Sequence, residues 1–254
     1  MMKKTIIILS TLVFIASSYG QETKKEKFFD IPLEKTNIAA SNCNSNGLYG
    51  KFPLQEKWTL ISFRRNIITI VETKRYGYDW VGNPSTLFVS QEEEEERIWF
   101  DFDMAFKGVY TEADIKILSP VAENNDEIVN LIKRYLADDE FFKQKEMTGI
   151  KLYSFTTNEN KFWIAYYTFL QKDFIGLNNR TVVFGVTPDN DVVFLADHCM
   201  FESPTPIYIL QLKNDFYLYP NNIYCGEEGA IGIRYLYKLT TGFEKVFGDS
   251  IICD

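Results

Sequence analysis

Residues 151–170, KLYSFTTNENKFWIAYYTFL, contain two runs of β-branched and aromatic residues separated by Asn158-Glu159-Asn160. Such side chains favour strands, and a short polar break between two such runs is typical of an antiparallel hairpin. Because this pattern recurs along most of the chain, the stretch decides the fold class that the sequence predicts.

Four further pairs of runs repeat the pattern, each broken by a few turn-forming or charged residues: WTLISF with IITIVET, STLFVS with RIWFDFDM, TVVFGV with VVFLAD, and IYILQL with FYLYP. A last strand, IGIRYLYKL, follows Gly229, whereas CGEEGAIG at 225–232 is interpreted as a flexible loop. The sequence therefore predicts a series of antiparallel hairpins.

One helix interrupts this series. Asn125 is a suitable N-cap, acidic residues follow it in the first turn, and apolar residues recur on one face at Ile128, Leu131, Ile132, Tyr135 and Leu136. The pattern predicts a helix over 125–145 with a break at Asp138-Asp139. The predicted fold class is mainly β, with antiparallel hairpins in a sandwich- or barrel-like arrangement and one substantial mid-chain α-helix.

The first 20 residues have the three parts of a secretory signal peptide. Lys3 and Lys4 precede an apolar run at 5–16, and Ser18 and Gly20 provide small residues before the cleavage point. The run is shorter than the roughly 20 apolar residues of a membrane-spanning helix. We therefore expect a secreted or periplasmic protein without stable membrane insertion after signal cleavage.

The remainder divides by composition into a polar N-terminal segment, 21–57, and a β-rich globular domain, 58–254. The predicted helix separates the strands of this domain into an N-terminal and a C-terminal group. They are interpreted as two sheets of one sandwich or as two sub-domains divided at residues 125–145.

The net charge is −8, with 35 acidic and 27 basic residues. Nucleic-acid binding needs clusters of Lys and Arg, so this composition argues against it. A block of five glutamates is expected to form a solvated hairpin tip, and it predicts a binding surface for a cationic protein partner: Glu92, Glu93, Glu94, Glu95 and Glu96.

An even number of cysteines in an exported chain predicts disulfide bonds, here two among Cys43, Cys199, Cys225 and Cys253. The short loop between Cys199 and Cys225 favours that pair, which leaves Cys43 for Cys253. There is no Cys-x-x-Cys pair, so the main signature of thioredoxin-like chemistry and zinc ribbons is missing.

The sequence predicts no catalytic residue, metal site or cofactor. His198 is the only histidine and lies between Asp197 and Cys199. Successive side chains of a strand point to opposite faces, so these three are not expected to form a triad among themselves. The carboxylates of PDND at 188–191 are interpreted as part of a hairpin turn, because Asn and Asp tolerate left-handed conformations.

These observations favour an exported, non-enzymatic binding protein, for example a periplasmic inhibitor or immunity-type protein that acts through protein–protein contacts. The high aromatic content, 16%, is mainly expected in the core, but exposed aromatic rings leave a glycan-binding β module as an alternative. A hydrolase that uses Asp101 and Asp103 is the other alternative, since two acids at i and i+2 of a strand face the same side.

Overall fold

The computed structural model describes nine stretches, all within the unit Ile31–Asp254: residues 37–42, 46–79, 82–88, 102–158, 160–172, 177–198, 207–220, 222–226 and 229–251. For residues 172, 177, 178, 198, 222–226, 229–234 and 249–251 of these stretches, only the backbone is described. The described residues form eighteen strands and one helix, which confirms the mainly β fold class.

Two small antiparallel sheets come from the N-terminal part of the chain. Sheet A has the order β1 (Ile38–Ala40), β7 (Met104–Lys107), β3 (Lys57–Ser62) and β4 (Ile67–Glu72). Sheet B has the order β2 (Gly47–Tyr49), β6 (Pro84–Leu87) and β5 (Arg75–Tyr78). Strands β1 and β2 lie within the segment 21–57, for which the sequence predicted no strand.

The third sheet, sheet C, has 11 strands. Its members are β8 (Ile115–Leu118), β9 (Val121–Ala122), β10 (Met147–Thr157), β11 (Asn160–Lys172), β12 (Leu177–Val186), β13 (Val192–His198), β14 (Tyr208–Leu212), β15 (Asp215–Tyr219), β16 (Asn222–Gly226), β17 (Gly229–Leu239) and β18 (Phe243–Ile251). They follow the order β8-β14-β15-β17-β16-β13-β12-β11-β10-β9, and β18 pairs with β17. All pairings in this sheet are antiparallel except that between β13 and β16.

Helix α1 spans Asp126–Asp138. The Asn125 side chain accepts hydrogen bonds from the backbone N–H groups of Glu127 and Ile128, as an N-cap does. Asp139 is extended, and its carboxylate accepts hydrogen bonds from the N–H groups of Phe141 and Phe142. The predicted break at Asp138-Asp139 is therefore confirmed, and residues 139–145 form a separate turn and not a continuation of the helix.

The strands stack in layers because many of them are apolar on both faces. Strands β14, β15 and β17 form a central layer. One of its faces packs against β10–β13 through residues such as Leu218 and Tyr237. The other packs against sheet A through residues such as Leu210 and Leu236. The strand groups before and after α1 therefore share a core.

Two outer layers complete the stack. Helix α1 covers the outer face of β10–β12, where Ile132 packs with Phe169 and Phe184. Sheet B covers the outer face of sheet A, where Leu48 packs with Trp58. Alternation along β11 distributes its aromatic residues between two cores, since Phe162 and Tyr166 face the central layer while Trp163 and Tyr167 face α1. Most described aromatic side chains are thus in the core, as expected.

Four of the five predicted hairpins are confirmed, namely β3–β4, β10–β11, β12–β13 and β14–β15. Their turns contain left-handed residues: Asn66, Asn158, Asn190 and Lys213. The fifth, STLFVS with RIWFDFDM, is not formed by the described part of its first run, because β6 pairs with β2 on one edge and with β5 on the other. Residues 89–101, which contain most of the second run, lie outside the described residues.

Two strands near the C-terminus were not predicted. Strand β16 pairs with β17 from Asn222 to Gly226, so residues 225–226 and 229–232 of the stretch interpreted as a flexible loop lie in paired strands. Strand β18 pairs with most of β17. Among the described residues, no helix is both long and apolar enough to cross a membrane.

Candidate functional site

Most of the site residues predicted from the sequence lie outside the described residues. These are Cys43, Cys199 and Cys253, the acidic block Glu92–Glu96, and Asp101. Cys225 lies in β16, where only the backbone is described. The disulfide bonds and the acidic binding surface therefore stay predictions.

The segment around His198 is the end of β13. The His198 backbone lies opposite Thr181 of β12 and Ile223 of β16. The neighbouring Asp197 carboxylate accepts hydrogen bonds from the Arg180 guanidinium on both of its oxygens, and Arg180 also donates to Gln171. Bidentate contact with a half-buried arginine engages this carboxylate structurally and does not leave it open for acid–base chemistry.

Asp103 lies one residue before β7, so it does not belong to the strand that the sequence predicted for it. Its carboxylate accepts a hydrogen bond of 2.8 Å from the backbone N–H of Phe63, where β3 passes into its turn. The contact satisfies a backbone donor at the end of a strand. Asp103 therefore joins the two strands β3 and β7 of sheet A.

The PDND sequence forms the predicted turn between β12 and β13. Asn190 has a φ of 68°, and the N–H of Asp191 donates to the Thr187 hydroxyl at 3.0 Å. Across the described parts of the chain, no group of three or more His, Cys, Asp or Glu side chains has an arrangement that could hold a metal ion.

The most exposed apolar segment is the run of residues 67–78, which we call the β4–β5 edge. It contains four of the twelve most exposed large hydrophobic side chains among the described residues, Ile67, Ile70, Tyr76 and Tyr78, with exposed fractions from 39% to 67%. Strand β4 is the last strand of sheet A, and β5 is the last strand of sheet B. The β4–β5 edge thus combines exposed apolar side chains with two strands that have no second neighbour among the described residues.

The hydrogen bonds of the neighbouring strands fix which backbone groups of β4 point outward. Thr73 donates its N–H to the Glu56 carbonyl at 2.9 Å, and Gly108 donates to the Lys57 carbonyl at 2.8 Å. Thr73 therefore faces β3, whereas Lys57 faces β7. Because backbone groups that face one neighbour and the other alternate along a strand, the register of the β3–β4 pair directs the N–H and C=O groups of Ile67, Thr69 and Val71 toward β3. The N–H and C=O groups of Ile68, Ile70 and Glu72 consequently face away from the sheet.

A cavity of about 420 Å³ lies between sheet A and the β14–β15 hairpin, and we call it the Tyr110 pocket. Its walls include Ile38, Phe106, Tyr110, Lys213, Asp215 and Tyr217. This mixture of aromatic walls and a few polar groups is usual for sites that bind small molecules, and the volume is in the usual range.

The backbone of Tyr110 is held by the side chain of Thr59 in β3. The Thr59 hydroxyl, which is fully buried, donates to the Gly108 carbonyl at 2.8 Å and accepts from the Tyr110 N–H at 2.9 Å. Gly108 has a φ of 113°, a conformation that favours glycine. The Lys213 ammonium lies 5.3 Å from the centre of the Tyr110 ring, within the range of a cation–π contact.

Electrostatics around the Tyr110 pocket are balanced. Asp215 forms an ion pair of 2.9 Å with Lys238, and its hydrogen bond raises the pKa of that lysine. Burial, with the nearby Asp215 charge, raises the pKa of the Tyr217 hydroxyl. Hydrogen bonds from Thr111 lower the pKa of Asp114, with a smaller effect of Lys213. The pocket is therefore polar at its rim without a strong net charge.

A second cavity, of about 390 Å³, lies where α1 begins. Its Glu123 carboxylate accepts hydrogen bonds from the Ser154 hydroxyl and the Lys161 ammonium, which lower the pKa of Glu123. Lys161 also lies over the Trp163 ring at 4.3 Å. These contacts tie β9 to β10 and β11, and they give this carboxylate a structural role.

Sequence reasoning found β4 of the β4–β5 edge and the hairpin β14–β15 beside the Tyr110 pocket, but it found neither β5 nor the surfaces that these strands form. Five consecutive β-branched residues, IITIV at 67–71, between two pairs of basic residues are the signal that could have indicated an exposed edge. No protein-family model, no curated protein and no solved structure matches this chain.

Proposed function

We propose that the protein is an exported, non-enzymatic binding protein that acts through protein–protein contacts at the β4–β5 edge, as an inhibitor or immunity-type protein would. The observation that supports this proposal is the concentration of four exposed large apolar side chains on two strands that have only one neighbour each within the described part of the chain. The signal-peptide pattern of residues 1–20 supports export.

The chemistry of the β4–β5 edge is that of a contact surface. Exposed strand edges in monomeric proteins are usually protected by charges, prolines or bulges. The stretch 67–71 contains no charge and no proline, and its register with β3 is regular. Tyr76 and Tyr78 are residues of the type that dominates the energy of protein interfaces. A partner that covers this edge would remove these apolar groups from water.

Site-specific photo-crosslinking tests this proposal. A benzophenone amino acid replaces Ile70 or Tyr78 in the full chain, and the same group at Val121 of β9 is the matched control, since Val121 and Tyr78 are both 67% exposed. We expect one identified partner to be crosslinked from both edge positions and not from Val121. The purified partner should bind the wild-type protein and lose most of its affinity for an Ile70→Lys variant. Equal crosslinking from all three positions would contradict the proposal.

The second candidate function is glycan binding in the Tyr110 pocket. It is supported by the aromatic walls and the polar rim of that pocket, since sugar rings pack on aromatic side chains while their hydroxyl groups need hydrogen-bond partners. A glycan array probed with the mature protein gives the test, with Tyr110→Ala as the disabling variant and Tyr135→Ala, on α1, as the control. Glycan signals that persist in Tyr110→Ala would exclude the pocket as their source.

The hydrolase alternative is not supported by its described residue. Asp103 contacts the backbone of Phe63, and neither of the two cavities described above is lined by it.

A further inference from the structure

We propose that the Tyr110 pocket binds an acidic sugar, namely a hexuronic acid unit whose ring packs on the aromatic wall and whose carboxylate pairs with the Lys213 ammonium. The inference rests on the second candidate function, glycan binding in this pocket, and names the class of sugar. It is independent of the β4–β5 edge.

The backbone of Lys213 provides the first argument. Its φ is 55°, in the left-handed region that favours glycine and asparagine over residues such as lysine. The left-handed residue of each of the other three confirmed hairpins is an asparagine: Asn66, Asn158 and Asn190. The N–H of Lys213 donates to the Asp114 carbonyl at 2.7 Å, and its carbonyl accepts from the Gln211 side chain at 3.1 Å. Backbone conformations of this kind concentrate at functional sites, which directs attention to the lysine side chain.

The ammonium group of Lys213 provides the second argument. It lies 5.3 Å from the centre of the Tyr110 ring, and it forms no ion pair or hydrogen bond with any residue that the structure describes. Hydrogen bonds from Thr111 are the main cause of the lowered pKa of Asp114, and the charge of Lys213 is a smaller cause. Asp114 is therefore engaged by Thr111, and the donors of the Lys213 ammonium are open to a ligand.

The other charged side chain of the pocket wall, Asp215, already has a partner. Its carboxylate forms an ion pair of 2.9 Å with the Lys238 ammonium. Among the described residues of the wall, the charge without a counter-charge is thus positive. A carboxylate on the ligand would accept charge-assisted hydrogen bonds from Lys213, and these are stronger than hydrogen bonds between neutral groups.

The remaining walls of the pocket fit a sugar ring. Phe106 and Tyr217 lie edge to face with their ring centres 5.6 Å apart, and together with Tyr110 they provide the aromatic surface. The Asn37 side chain lines the same pocket and has no hydrogen-bond partner among the described residues, so its amide is available to the hydroxyl groups of a sugar. The net charge of −8 opposes a long polyanionic chain, which favours a single hexuronic acid unit, free or at a chain end.

A titration with simple sugars, followed by NMR of the full mature chain, tests the class of ligand. The probes are the methyl glycosides of glucuronic and galacturonic acid. Their matched controls are the methyl glycosides of glucose and galactose, which have a hydroxymethyl group in place of the carboxylate. We expect at least one uronide to bind at least about tenfold more tightly than its neutral counterpart. Cyclohexanecarboxylate, which has a ring and a carboxylate without hydroxyl groups, should bind at least about tenfold more weakly than that uronide.

Two variants of Lys213 provide the reciprocal test. Lys213→Gly removes the ammonium and places glycine in the left-handed conformation, so it should unfold at the wild-type temperature or above. Lys213→Gln removes the charge and keeps most of the side-chain length. We expect each variant to lose at least about tenfold in affinity for the uronide.

Each change at Lys213 has a matched control away from the pocket. Asn190→Gly makes the same backbone change in the turn of the β12–β13 hairpin. Lys145→Gln removes a lysine charge that also lies over an aromatic ring, 4.6 Å from the centre of Phe141. Both controls should bind the uronide as the wild type does.

The outcomes separate the class of sugar from the glycan function. Equal binding of the uronide and its neutral counterpart, or unchanged uronide binding by Lys213→Gln, overturns the inference. The glycan function stands in that case if the binding is lost in Tyr110→Ala. Cyclohexanecarboxylate binding as tight as that of the uronide overturns a sugar as the ligand. No probe binding up to about 10 mM also overturns the inference, whereas the glycan function is then decided by the array.

Discussion

The hairpins β3–β4 and β14–β15 consist of similar types of residue but differ in how many of their edges and faces are covered. Both consist of β-branched and aromatic strands joined by a short polar turn with a left-handed residue. The β14–β15 hairpin has neighbours on both edges, β8 and β17, and cores on both faces. Among the described residues, strand β4 has a neighbour only on the side of β3. Local sequence therefore specifies a strand, whereas the number of its neighbours depends on the whole fold.

The largest expected effect is the difference in the free energy of unfolding between a core mutation in β15 and an edge mutation in β4. Leu218 is fully buried in the central layer, so Leu218→Ala should lower the free energy of unfolding by about 3 kcal/mol through lost burial and the cavity left behind. Ile70→Ala on the exposed edge should cost less than about 0.5 kcal/mol. Urea denaturation measures both. Similar costs would show that β4 is as enclosed as β15.

A smaller destabilisation is expected from loss of the buried Thr59 hydroxyl of β3, and it compares this interior strand with its neighbour β4. Thr59→Val keeps the shape of the side chain but leaves the Gly108 carbonyl and the Tyr110 N–H without their partner, and should cost about 1–2 kcal/mol. Thr69→Val on β4 is the matched control and should cost less than about 0.5 kcal/mol. If Thr59→Val has no effect on chemical denaturation, the Thr59 hydroxyl does not hold the turn that positions Tyr110.

A third change concerns the turn of the β3–β4 hairpin. Asp103→Ala removes the acceptor for the Phe63 N–H and should cost about 1 kcal/mol, whereas Asp103→Asn retains an acceptor oxygen and should cost less. Thermal and urea unfolding distinguish the two variants. Equal destabilisation by Ala and Asn would mean that the negative charge matters more than this hydrogen bond.

The smallest effect is the pH dependence of the β15–β17 ion pair. The hydrogen bond to Asp215 raises the pKa of Lys238 above 10.5, so the pair stabilises the fold below that pH and ceases to do so as the pH rises through the raised value. Because both side chains are partly exposed, Asp215→Asn should cost only a few tenths of a kcal/mol at pH 8. The difference from wild type, measured by urea denaturation, should shrink above about pH 10.5. A constant difference across this range would exclude the ion pair as its cause.

The sequence predicted the positions of the helix and the strands better than it predicted which strands pair with each other. Asn125 and the 3.6-residue period located α1, and the polar breaks located four hairpins, because caps, turns and side-chain alternation act over a few residues. The first run of the predicted STLFVS–RIWFDFDM hairpin pairs elsewhere because adjacency in sequence is only a preference; both edges of β6 are paired with β2 and β5. Strands β1 and β2 were missed because they are only 3 residues long, too short for a periodic pattern.

For the candidate surfaces too, the sequence indicates the individual residues but not how they come together. Residues 67–71 are recognisable from the sequence as a strand, and Phe106, Tyr110 and Tyr217 as aromatic residues near strands. Neither the exposure of Ile70 nor the convergence of Tyr110 with Tyr217 follows from local pattern, because residues distant in sequence form each surface. Asp103 is a further example, since its carboxylate contacts the Phe63 backbone, which is 40 residues away in sequence.

The sequence by itself determined that this chain forms antiparallel hairpins of β-branched and aromatic strands with one capped helix, since these depend on backbone preference and local hydrogen bonding. The tertiary structure alone decided that β14, β15 and β17 lie in the middle of a stack while β4 and β5 remain at an edge. The physical reason is that burial of an apolar strand requires other surfaces to cover it. Which surfaces are available depends on contacts along the entire chain.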